Sequence, residues 1–209
     1  MASDNDYKKL TKFEKLEEIQ NINFVKCERH SVAIYLKALW LNDTKIITEY
    51  ESFGDRPNQF LMNKITYDRQ LLFGYSEKVF DKYGWFVTPK FNNYEELIFT
   101  TKNEKIGSNK VSIGEGLNGK WSFSISYSTG AAGGSSRCDI WGEILDDKET
   151  AIIKGLTQLI ATHDRQREML YKKDSCGNYK EEYSRTIVKL VKNKLDEVKG
   201  IKGIQLELF

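Results

Sequence analysis

The sequence predicts an α+β fold: an antiparallel sheet with helices packed on one side, and a C-terminal helix leading to a mobile tail. Three observations carry that expectation. Residues 110–117 and 120–128 flank Asn118-Gly119, a dipeptide that favours a β-hairpin because both turn positions take positive φ. In the second of these segments Trp121, Phe123, Ile125 and Tyr127 alternate with Ser122, Ser124 and Ser126. That period gives a strand one apolar face and one hydroxyl-lined face. Two later segments carry helical spacing instead: Ile152, Leu156, Leu159 and Ile160, then Tyr183, Ile187, Val191, Leu195 and Val198.

The elements follow in order. Thr11 and Glu14 form a capping box for a helix over 10–22, where Leu10, Phe13, Leu16 and Ile19 recur at three-residue spacing. Over 31–41, Val32, Tyr35, Leu36, Leu39 and Trp40 fit a helix, while Val32, Ile34 and Leu36 also fit a strand; the helix is preferred. Residues 44–50 read as a strand, 54–58 as a loop and 60–73 as one or two strands. Ser76 caps a short helix that stops at Gly84, a strand follows over 85–88, and Asn93 starts another short helical piece. Beyond the hairpin, a Gly-rich connection at 129–136 leads to a third strand over 137–145. Asp146 with Glu149 reads as an Asp version of the capping box, opening a helix to about Tyr171. A last helix runs from about Lys180 to Val198. The elements group as an N-terminal α+β region (1–105), a β-β-β-α unit (106–172), a C-terminal helix (173–200) and a tail (201–209).

Composition sets the bounds. A chain of 209 residues makes one domain or two small ones. With 40% hydrophobic and 12% aromatic residues it can bury a core, which excludes a disordered chain. Thirty-two basic against thirty acidic residues leave a net charge of +2, so nucleic-acid binding would need a local patch. No apolar run approaches the ~20 residues of a membrane span. The polar, acidic first six residues do not resemble a secretory signal. Cys27, Cys138 and Cys176 are odd in number and far apart, as free thiols in a reducing cytoplasm would be. A cytoplasmic location is expected.

The segment Gln205-Leu206-Glu207-Leu208-Phe209 suits a pocket with a polar rim and an apolar groove. Leu208 and Phe209 would bury their side chains at roughly 1.5–3 kcal/mol each. Gln205 offers a donor and an acceptor to the rim, Leu206 fills a secondary depression, and Glu207 faces solvent. Gly200 and Gly203 precede it as a hinge. The segment resembles the peptide by which bacterial DNA-replication and repair proteins dock on the sliding clamp, commonly Gln-Leu-Ser/Asp-Leu-Phe. Glu207 departs from that pattern and keeps an acidic choice. The resemblance implies a clamp as partner, bound through Gln205, Leu206, Leu208 and Phe209. The competing reading is a terminal strand with Ile204, Leu206 and Leu208 on one face. The β-β-β-α unit, with its hairpin and Gly-rich loop, resembles a small domain of phage and mobile-element proteins, some of which act in DNA metabolism.

Other constellations carry less. The Gly-rich residues 130–136 beside Arg137 suggest an anion nest, but no Gly-Lys-Ser/Thr and no helix follow, so a hairpin connection is preferred. His30 and His163 are the only imidazoles, and no metal-ligand spacing accompanies them. Cys138 and His163 would form a nucleophile–base pair only if the fold joined them. Glu28, Asp43, Glu49, Glu51, Asp55 and Asp68 are scattered, with Glu49-Tyr50-Glu51 the nearest approach to a nuclease element and more readily a solvated strand face. Lys189 and Lys192 lie on the wet face of the last helix. With Arg137, and with Trp121 and Tyr127 as stacking rings, they are the candidate nucleic-acid contacts.

No catalytic residue, metal or cofactor is assigned. The expected function is a non-enzymatic accessory or regulatory protein of bacterial, phage or mobile-element DNA metabolism that docks on the clamp, with DNA as a second partner and no membrane. One alternative is a phage or mobile-element inhibitor or adaptor that binds a host defence protein or nuclease by its folded surface. Another is a metal-dependent nucleic-acid enzyme.

Overall fold

The computed structural model describes residues 7–26, 28–101, 108–171 and 181–200. The fold is α+β, with helices and one four-stranded antiparallel sheet. The chain divides into two units between Thr88 and Pro89. The sequence placed the first boundary at 105, but the strand over 92–99 pairs into the sheet and so belongs to the second unit.

The first unit is helical. A short 3-10 turn, Tyr7–Lys9, precedes α1 (Lys12–Gln20), α2 (Arg29–Leu41), α3 (Thr44–Glu51) and α4 (Pro57–Leu71). The expected capping box opens α1: the Glu14 backbone N–H donates to Thr11 Oγ1, and Thr11 N donates to Glu14 Oε2 at 2.7 Å. Helix α2 forms as expected, burying Val32, Tyr35, Ala38 and Leu39, though Trp40 stays exposed.

The strands expected over 44–50 and 60–73 are helices α3 and α4. Asn42 ends α2 in the left-handed region at φ 53°, and Asp43 accepts from Ile46 N at 3.2 Å to start α3. Pro57 sits in the first turn of α4, where its missing N–H loses nothing. The helix expected over 76–84 is a ribbon instead. Val87 N donates to Val79 O and Asp81 N to Trp85 O, both at 2.8 Å, and Phe80 bridges Phe86. Helix α4 holds this ribbon through buried amides. Asn63 Nδ2 donates to Phe53 O and Gly84 O, Asn63 Oδ1 accepts from Phe86 N, and Gln70 Nε2 donates to Glu77 O.

The second unit holds the sheet, β1 (Asn92–Phe99), β2 (Asn109–Glu115), β3 (Trp121–Ser128) and β4 (Gly133–Ser135), in that spatial order. The helical piece expected at Asn93 is therefore strand β1. The β2–β3 hairpin stands where Asn118-Gly119 placed it, but only Gly119 has positive φ, at 77°. Gly119 N donates to Gly116 O and Gly116 N to Lys120 O, which makes a longer turn closed by one left-handed glycine.

The third strand expected over 137–145 is not formed. Strand β4 lies inside the Gly-rich connection and pairs with β3 from Ser126 to Ser128. Residues 136–145 return across the sheet until Leu145 exchanges two 2.8 Å backbone bonds with Trp121.

Helices α5 (Lys148–Tyr171) and α6 (Glu181–Val198) follow. The cap of α5 is Asp147 rather than Asp146, since Asp147 accepts from Thr150 N at 2.7 Å and from Thr150 Oγ1 at 2.8 Å. Both helices pack on the apolar face of the sheet, and Phe99, Val111, Ile113, Trp121, Leu156, Leu159 and Ile187 form the core. Gly155 lets α5 lie close to the strands, because a Cβ there would meet Val111 Cγ1 at 2.3 Å. Among the described residues no helix is long and apolar enough to cross a membrane.

Candidate functional site

Gln205, Leu206, Leu208 and Phe209 lie outside the described residues, as do Cys27 and Cys176. Helix α6 closes ahead of the clamp-like segment: Gly200 takes φ 69° and its N–H bonds Glu197 O at 3.1 Å.

The described residues hold a cleft of about 180 Å³ between α5 and α6. His163, Asp164 and Arg167 line it from α5. His163 and Arg167 share a helix face as positions i and i+4, and Asp164 flanks them. Ser184, Arg185, Val188 and Lys192 line it from α6 on the same periodicity. Its floor is polar and buried, with His163 1% and Ser184 2% exposed. Its rim carries three cations and one carboxylate.

A buried network fixes the floor. The Ser128 backbone N–H donates to Asn109 Oδ1 at 3.0 Å, which orients the Asn109 amide. His163 Nε2 lies 2.8 Å from the same oxygen and therefore carries the ring proton. Nδ1 is then the acceptor, and Ser184 Oγ donates to it at 2.6 Å. Asn109 Nδ2 donates to the Tyr183 hydroxyl at 2.8 Å and to Ser128 O at 3.3 Å. The Tyr127 ring meets the imidazole edge to face, with centroids 6.3 Å apart. Burial lowers the His163 pKa to about 4, against a smaller opposing effect of the Asp164 charge. The imidazole is neutral near pH 7 with both nitrogens engaged, so it acts as a joint between β2, α5 and α6 rather than as an open base.

The sequence-derived candidates scatter. Trp121 is a core residue at 9% exposure, and Tyr127 is half-buried with its hydroxyl taking the Gln166 amide at 3.3 Å. Both rings face the helices, so the hairpin presents no stacking platform there. Arg137 and Lys189 are exposed, and Lys192 alone of the five joins the cleft. The Gly-rich loop is a hairpin connection, closed by Thr129 N to Ala132 O at 2.8 Å.

Cys138 and His163 are not brought together. Cys138 Sγ bonds Ser122 O at 3.5 Å on the other face of the sheet, and burial pushes its thiol up to about 12. His30 is exposed.

Each scattered carboxylate has a local partner. Glu28 accepts from Val25 N, and Asp55 pairs with Lys8. Glu49 and Asp68 both pair with Lys64. Glu51 is no solvated strand residue: its Oε1 takes Lys15 Nζ and the buried Tyr35 hydroxyl, each at 2.6 Å. Burial raises the Tyr35 phenol far above its usual range. Among the described residues no three His, Cys, Asp or Glu side chains group as a metal site.

Asn109 and Ser184 carry no sequence signal. Arg185 is a cation of the last helix, as Lys189 and Lys192 are, and Arg167 shares its α5 face with His163 at i+4 spacing. The chain matches no protein-family model, and neither the curated proteins nor the solved structures give a match.

Proposed function

We propose that this chain docks on a bacterial sliding clamp through Gln205, Leu206, Leu208 and Phe209. It would act as a non-enzymatic accessory or regulatory protein of bacterial, phage or mobile-element DNA metabolism. The observation that carries the reading is the sequence Gln-Leu-Glu-Leu-Phe at 205–209. An amide followed by two adjacent large apolar side chains supplies a polar anchor and a hydrophobic plug, the pair of features a rimmed groove selects. The close of α6 at Gly200 supports it, because the helix stops before the segment begins.

Calorimetry with a purified bacterial sliding clamp tests the reading. The wild-type chain should bind at micromolar Kd. Leu208→Ala/Phe209→Ala removes the two side chains that docking would bury, worth roughly 1.5–3 kcal/mol each, and should abolish measurable binding. Absence of binding by the wild type retires the proposal.

A second reading, an inhibitor or adaptor that grips a host defence protein or nuclease by its folded surface, is favoured by one feature of the first unit. Phe13, Trp40 and Leu41 are 75%, 68% and 63% exposed, and the neighbouring Lys12 bonds Trp40 O at 2.7 Å. Exposed large apolar side chains are what a partner's surface would cover. Phe13→Ser/Trp40→Ser should destroy that activity, and deletion of 205–209 should spare it. The clamp reading predicts the reverse.

A further inference from the structure

We infer that the cleft between α5 and α6 is a binding site for a phosphate group, gripped by Arg167, Arg185 and Lys192. Three features combine. The cleft is an open one lined by two helices and, at about 180 Å³, holds several waters' worth of space, enough for a tetrahedral oxyanion. Its lining carries three cations and one carboxylate, and with Glu181, which pairs Arg185 from outside the lining, the cluster keeps a net excess of one positive charge. Its floor is rigid, because His163 and Ser184 are locked together at 2.6 Å and buried.

The cations are available to a ligand. Lys192 has no ion-pair partner among the described residues, and its side chain is exposed. Arg167 pairs with Asp164 at 3.3 Å and Arg185 with Glu181 at 2.7 Å, but the two guanidinium side chains are 42% and 68% exposed. Exposed pairs of this kind contribute little and leave most of the five guanidinium N–H donors unused. Two arginine forks and one ammonium converging from two helices suit three oxygens around one phosphorus. Three cations from two helices match the several oxygens of a phosphate better than the two of a single carboxylate. The site is independent of clamp docking, since it uses none of residues 201–209.

His163 reports on the site directly, and the only other imidazole, on His30, is a built-in control. The full-length protein is titrated with inorganic phosphate while imidazole signals are followed by NMR. In parallel arms it is titrated with a single-stranded oligonucleotide with and without a 5′-phosphate. Phosphate should shift the His163 signals and leave His30 unmoved. Lys192→Gln and Arg167→Gln, both on solvent-accessible side chains, should each weaken that response about tenfold without unfolding the protein. A response to oligonucleotide at far lower concentration than to free phosphate would assign the group to nucleic acid, and dependence on the 5′-phosphate would assign it to a strand end. A response to inorganic phosphate alone would assign a small phosphorylated ligand. The inference is overturned if His163 does not respond to any of the three, or if the response survives both substitutions.

Discussion

The two faces of the sheet in the second unit bury polar side chains on opposite terms. Under the helices, Asn109, His163 and Ser184 satisfy one another: one amide orients one imidazole, which orients one hydroxyl. On the far face, Ser122 and Ser124 are buried at 0% and 6% exposure, and their hydroxyls find no hydrogen-bond partner among the described residues. Their neighbours on that face do better, since Ser126 meets Ser135 at 2.7 Å and Ser112 meets Glu96 at 3.3 Å. A strand period that alternates apolar and hydroxyl residues therefore marks two faces without saying which one is wet. Here both are covered, and partner geometry decides whether a buried polar group stabilises or costs.

Asn109 is where the satisfied face breaks most easily. Asn109→Ala strips the shared acceptor from Ser128 N and His163 Nε2. Each of these two donors left without its acceptor costs about 1–3 kcal/mol, so the sum should reach roughly 2–6 kcal/mol. Denaturant unfolding should show a large fall in midpoint with the slope m unchanged. A change below ~1 kcal/mol would mean that the network relaxes onto other partners.

Acid loosens the same face through His163. The unfolded imidazole takes up a proton near pH 6.5, and the folded one only near pH 4. Between those values the unfolded state binds the extra proton. The His163 contribution is thus fully present above pH 6.5 and is lost as pH falls toward 4. At about 1.4 kcal/mol per tenfold change in proton affinity, the loss is on the order of 3 kcal/mol. Unfolding free energies of wild type and His163→Gln from pH 7.5 to 4.5 should diverge in slope, with the variant flatter. Parallel curves would show that the folded protein accepts the proton without disruption.

The sequence was legible where structure is local. The α1 capping box, the β2–β3 hairpin and the stripes of α5 and α6 are all encoded within a few residues. It misled where tertiary context overrode the pattern. Ile46, Ile47 and Thr48 read as strand, yet the Asp43 cap and the core around Tyr50 hold them in α3. Helix α4 hid because part of its buried side is polar: Asn63, Thr66 and Gln70 face inward to bind backbone groups. Strand β4 is Gly-Gly-Ser, which has almost no side-chain period to read. The cleft was legible only in part. Lys192 was visible as a cation on a wet face, but its convergence with Arg167 and Arg185 depends on how α5 and α6 pack, and no spacing within one helix carries that.

The smallest effect tests the unsatisfied face. Ser124→Ala deletes a buried hydroxyl that bonds nothing among the described residues, so no partner is left behind. The substitution removes a desolvation penalty, loses one buried oxygen's packing, and sits on a strand whose backbone pairing to β2 is unchanged. Stability should hold or rise by up to about 1 kcal/mol. Ser126→Ala, two residues along on the same face, deprives Ser135 Oγ of its 2.7 Å partner and should cost about 0.5–1 kcal/mol. The sign of the difference between these variants, read from thermal unfolding, is the test. If Ser124→Ala proves the more damaging of the two, its hydroxyl is held by something bound between the sheet and the returning segment at 136–145. An ordered water with two or more polar neighbours would be the first candidate, and the far face would then be satisfied after all.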